Sequence, residues 1–120
     1  MAKKELSANI FWLYPIIHSL NPVSGKVEGF YAAKIDRLET DEKGIKISFL
    51  FDGSKYGVDL KKSGNNFQGR IIRDGEMVGK AYYVLYTNDK GFLLWGEWSE
   101  EEYNQSSIIE VLNMKFPGEV

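Results

Sequence analysis

The chain has 120 residues, no cysteine, and 15 Lys and Arg against 17 Asp and Glu, for a net charge of -2. That length suits a single domain, 1–120, able to bury a core without cross-links. Without thiols, disulfides and thiolate metal centres are excluded. The weakly acidic balance disfavours nucleic acid, whose phosphates demand concentrated positive charge.

The amino-terminal segment, 1–24, reads as a cap on the rest of the chain. Leu6, Ile10, Leu13, Ile17 and Leu20 recur at helical spacing, with Ser7 or Ser19 as local caps. Pro15 cannot donate to a helix ladder, so the spacing predicts two short helical pieces with Pro15 in the first turn of the second; the alternative is an extended stretch from Ile10 to Ile16. Lys3-Lys4 ahead of an apolar run resembles the start of a secretory signal. Glu5, Ser7, Asn9 and Pro15 interrupt it, no small-residue cleavage site follows, and the run is too short to cross a bilayer. The expected compartment is the cytoplasm, with no membrane partner.

Asn21-Pro22-Val23-Ser24-Gly25 is turn chemistry, and from 25 to 120 the pattern has period two. A first strand is predicted from Lys26 to Leu38, with Val27, Gly29, Tyr31, Ala33 and Ile35 inward, and the stretch from Thr40 to Gly44 turns it back. Ile45, Ile47, Phe49 and Phe51 then alternate with Lys46, Ser48, Leu50 and Asp52, and Tyr56, Val58 and Leu60 with Lys55, Gly57, Asp59 and Lys61. A two-residue turn at Asp52-Gly53 pairs Phe51 with Ser54, Phe49 with Tyr56, Ile47 with Val58 and Ile45 with Leu60. A two-residue turn at Ser63-Gly64 sets Leu60 against Phe67, Val58 against Gly69 and Tyr56 against Ile71. At Arg73-Asp74-Gly75, a tight two-residue turn would bring Lys80 onto the face of Phe67. A three-residue loop with Gly75 as a left-handed bulge avoids this, pairing Ile71 with Met77, Gly69 with Gly79 and Phe67 with Ala81. The buried face then reads Met77, Gly79, Ala81, Tyr83, Leu85.

Thr87 to Gly91 closes the next hairpin. Phe92 to Trp98 is a further strand, apolar on both faces as far as Gly96, and Ile108 to Phe116 is the last. The fold class is therefore all-β: an antiparallel up-and-down meander of about seven strands curled into a small barrel or half-barrel, with the core-facing glycines Gly29, Gly69 and Gly79 allowing sharp coiling. Gly29-Phe30-Tyr31 resembles the Gly-x-Trp opening of the lipocalin and avidin-type barrels, with Tyr31 in place of the tryptophan and no second family motif. The resemblance implies a calycin-like barrel with a ligand inside.

His18, the single histidine, lies at the margin of an apolar face with no orienting partner in sequence, so neither a His-based metal cluster nor a triad is expected. Asp52 and Asp74 are turn formers. Glu97 and Glu110 interrupt apolar strands and are the candidate inward acids. The stretch from Gly75 to Lys80 lacks the spacing and the following Ser or Thr of a phosphate loop. Glu100-Glu101-Glu102 reads as a solvated acidic loop.

The leading function is a non-enzymatic binding module, in which a small apolar or aromatic ligand enters a mouth lined by Tyr31, Phe49, Tyr56, Met77 and Tyr83. The alternative is protein interaction or homodimerisation through outer-face aromatics, Tyr82, Tyr86 and Trp98. A small carboxylate-based enzyme, and a carbohydrate-binding module stacking sugars on Trp95 or Trp98, rank lower. No catalytic residue, metal or cofactor is assigned.

Overall fold

In the computed structural model, which describes residues 7–14, 29–101 and 103–116, the period-two pattern is carried by eight strands. They are β1 (Ser7–Tyr14), β2 (Gly29–Asp41), β3 (Gly44–Phe51), β4 (Ser54–Ser63), β5 (Asn66–Arg73), β6 (Glu76–Asn88), β7 (Gly91–Glu100) and β8 (Tyr103–Leu112). Each pairs with the next in antiparallel fashion, and β1 pairs with β8, so the meander closes into a barrel. The inward side chains meet in one core, from Ile10 on β1 to Ile109 and Val111 on β8.

The eighth strand comes from the segment expected to be helical. Residues 7–14 are extended, and the second reading, an extended stretch from Ile10, holds as far as Tyr14. Ala8, Ile10 and Trp12 point inward at period two, and this strand is what closes the sheet by pairing with both β2 and β8. Closure leaves no edge open, which outweighs the helical spacing of a few leucines and isoleucines. Leu6, Pro15, Ile17, His18, Leu20 and the predicted strand start at Lys26 lie outside the described residues.

The first tight turn has the expected register: Asp52 and Gly53 both have positive φ, 51° and 77°, and Phe51 faces Ser54, Phe49 faces Tyr56 and Ile45 faces Leu60. The second is displaced by one residue. Gly64 and Asn65 form it, so Leu60 faces Gly69 and Val58 faces Ile71. Gly64 takes positive φ, 63°, at the first central position, the type II′ arrangement, which spares Ser63 a left-handed backbone. Because the shift is by two pairing steps, every side chain keeps its face.

At the third turn the predicted bulge exists in another place. Asp74 and Gly75 form a two-residue turn with φ of 51° and 87°, Arg73 faces Glu76, and the irregularity falls on β6, between the pairs Ile72 with Met77 and Ile71 with Gly79. Val78 is the extra residue, and it returns Gly79, Ala81, Tyr83 and Leu85 to the inside while Lys80 stays outside. Gly69 and Gly79 lie where strands cross closely: a Cβ on Gly69 would sit 1.7 Å from Asp59 O, and one on Gly79 would sit 1.9 Å from Ser99 O.

Beyond β8, Phe116 folds under one end of the barrel. Its ring meets Phe67 and Phe92 edge-on at 5.3 and 5.5 Å, and the Lys62 ammonium stands 5.3 Å from its centre. Among the described residues no helix is long and apolar enough to cross a membrane.

Candidate functional site

The end opposite Phe116 is where β3, β5 and β7 finish and β4 and β6 begin. Here period two brings Arg73, two residues beyond the inward Ile71, and Glu100, two beyond the inward Trp98, to the same rim. Glu100 Oε2 accepts from the Tyr56 hydroxyl at 3.1 Å and from Arg73 Nη1 at 2.5 Å, and Oε1 accepts from Trp98 Nε1 at 3.1 Å. Arg73 also reaches Glu101 through Nη2. The half-buried carboxylate thus satisfies three donors of three different strands, a fastening of charge-assisted bonds. Burial pushes the Tyr56 hydroxyl above its ordinary pKa.

Beneath this network the aromatics pack tightly. Phe49 stacks on Tyr56 with ring centres 5.2 Å apart, and Trp12 lies among Phe49, Phe51 and Trp98 at 5.0 to 5.5 Å. Deeper in the barrel the Tyr83 hydroxyl donates to Ser107 Oγ at 2.7 Å, both residues being fully buried; that burial raises the Tyr83 pKa, the hydrogen bond working against it. Among the described residues, one buried side-chain donor at this end has no partner. Trp12 Nε1 is shut from solvent without an acceptor.

Of the expected mouth residues, Phe49, Tyr56 and Tyr83 are buried inside, and Tyr31 stands at the rim, 47% exposed, with its ring edge-on to Phe51 at 6.0 Å. Met77 does not line the interior. It is 51% exposed, because the bulge at Val78 comes after it and leaves it on the outside. Trp98, expected on the outer face with Tyr82 and Tyr86, is inward and 2% exposed, in step with Phe92 and Leu94; Trp95 is the exposed tryptophan of β7.

Glu97 and Glu110 are not inward acids. Glu97 follows Trp95 on the outer face, opposite Tyr82, and Glu110 is opposite Leu93 between the buried Ile109 and Val111. The carboxylate that does turn to the rim is Glu100, which sequence reasoning assigned to a solvated loop together with its neighbours. Its spacing of two from Trp98 was the signal, and it needed the facing of Trp98 to be known. Among the described residues no group of three or more His, Asp or Glu side chains could hold a metal ion.

On the outside, cross-strand pairing assembles an apolar row over five strands: Val84, Trp95, Ile108, Phe11 and Ala32 are successive partners on β6, β7, β8, β1 and β2. Tyr82 and Tyr86 flank it, both exposed, with Leu93, Leu13 and the exposed Phe30. Alongside, an outer cleft of about 420 Å³ is lined by Gln68, Arg70, Lys80, Tyr82, Glu97 and Ser99. The chain matches no family model, no curated protein and no solved structure.

Proposed function

We propose that the chain is a protein-binding module whose working surface is the outer face of β6, β7, β8, β1 and β2, and that its partner is a second copy of itself. The unbroken outward row from Val84 to Ala32, with tyrosines at its margin, carries this reading. Aromatic rings with polar tips around an apolar centre are the composition of interface cores. The flanks carry both signs, Glu97 and Glu110 as well as Lys34 and Lys80, so a two-fold related copy can set acid against base. Bulky buried side chains inside the barrel add weight to a surface role over a deep pocket.

Sedimentation of the wild type is expected to give a dimer at micromolar concentration. Replacing Tyr82 and Tyr86 by serine is expected to give a monomer with unchanged β-type circular dichroism. A wild type that stays monomeric at high concentration would remove the proposal.

A second reading, a calycin-like module with a small ligand at the barrel mouth, is favoured by the unpaired Trp12 indole N–H at that end. For the setting, polar and charged outer positions such as Lys46, Lys55, Asp59 and Lys61 around an apolar interior are the reverse of a membrane-spanning barrel and support a water-borne protein. The cytoplasm is the proposed compartment.

A further inference from the structure

We infer that the Trp12 end of the barrel binds a small, neutral, planar ring compound through a carbonyl oxygen or ring nitrogen that accepts the Trp12 Nε1–H; this rests on the calycin-like reading. Two indoles share this end, their rings 5.4 Å apart and close to perpendicular. Trp98 has a carboxylate for its donor, Glu100. Trp12 is only 4% exposed, and among the described residues its donor meets no acceptor. A buried donor in that state has lost its hydration without replacement from the chain, and such groups in native proteins mark a water, an ion or a ligand.

The surroundings select among acceptors. The Phe51 ring, half-buried and 5.0 Å from the Trp12 ring, offers flat apolar surface and suits a planar ring. In the charge cluster of described residues at the rim, two carboxylates, Glu100 and Glu101, share one guanidinium, Arg73, which disfavours an anionic acceptor. An ammonium or guanidinium group has no lone pair to offer the indole. Tyr31, 47% exposed and edge-on to Phe51, is the residue a ligand would have to move to reach Phe51 and Trp12.

Pyridine and benzene have the same shape and differ by one acceptor, so they test the inference on the wild-type protein at neutral pH, where pyridine is uncharged. The readout is the indole N–H resonances in a nitrogen-15 correlation spectrum, assigned through bonds. Pyridine is expected to move the Trp12 resonance saturably downfield and to bind about tenfold more tightly than benzene, the worth of one neutral hydrogen bond. In Trp12→Phe the preference for pyridine is expected to disappear while benzene still binds.

Equal binding of the two rings with the Trp12 resonance unmoved would overturn the inference and leave the ligand reading standing. Binding of neither at millimolar concentration would overturn both. Should Trp12→Phe fail to fold, the wild-type comparison decides alone; a long-lived water on the Trp12 N–H that pyridine does not displace would also overturn the inference.

Discussion

Gly69 has little room for a side chain, because the backbone oxygen of Asp59 lies 1.7 Å from where its Cβ would stand and a main-chain atom in a paired strand has nowhere to go. Gly75 has open space but a φ of 87°, and Gly57 has neither difficulty, its nearest neighbour being Ile47 O at 3.9 Å. Alanine substitutions are therefore expected to rank in urea melts as Gly69 worst, at roughly 2 to 3 kcal/mol, then Gly75 at about 1 kcal/mol, then Gly57 close to neutral. A Gly57 variant as unstable as the Gly75 variant would contradict the left-handed turn. Tyr83 carries a pH prediction. Its folded pKa is raised, so its contribution to stability is whole below the unfolded value of about 10 and falls as pH rises above it, where the unfolded chain ionises and the folded one does not. Tyr83→Phe should cost about 1 kcal/mol near neutral pH by leaving Ser107 without its partner, and should make the alkaline fall in the urea midpoint shallower.

Hairpin elements show how turn chemistry and facing divide the work. At Asp52-Gly53 and Asp74-Gly75 an aspartate accepts positive φ beside a glycine, whereas at the β4–β5 turn the chain places Gly64 alone in that region and leaves Ser63 as the last residue of β4. Ser63→Thr should therefore be tolerated within about 0.5 kcal/mol, while Gly64→Ala should cost about 1 kcal/mol. Comparable losses in both would restore the Ser63-Gly64 turn expected from sequence. Facing was legible at the first two turns because apolar residues recur at every second position from Ile45 to Phe51 and from Tyr56 to Leu60, and it failed at Met77, which the bulge at Val78 leaves outside. At the second turn the exact partner was not legible, since moving a pairing by two residues changes no side chain's face and so leaves no mark in the pattern.

For the molecule as a whole, the decisive contact is the longest in sequence: β1 against β8, from Ser7 opposite Leu112 to Leu13 opposite Ser106. Ile10 sits in that seam, fully buried and opposite Ile109. Ile10→Asp puts an unpaired charge in the core, and its expected result is an opened barrel with the edges of β2 and β8 exposed, seen as concentration-dependent aggregation in light scattering with β-type circular dichroism retained. A variant that keeps the association state of the wild type and still unfolds cooperatively would mean that the meander from β2 to β8 holds together without closure.

By itself the sequence determined an antiparallel β-meander, the positions of most turns and the inward faces of β3, β4 and β5, because these depend on neighbours two residues apart or on one hairpin. It also carried the inward set Ala81, Tyr83 and Leu85, although the bulge that secures it was expected in the loop and lies at Val78. Closure was decided only in three dimensions: β1 has spacing compatible with helix or strand, and its conformation depends on partners about a hundred residues away. The same holds for the candidate sites. Trp98 and Trp95 are equally apolar, and which one faced inward, with Glu100 following Trp98 to the rim and Glu97 left outside, depended on how β7 seated against β6 and β8. The row from Val84 to Ala32 joins residues from both ends of the chain, so only the closed sheet could assemble it.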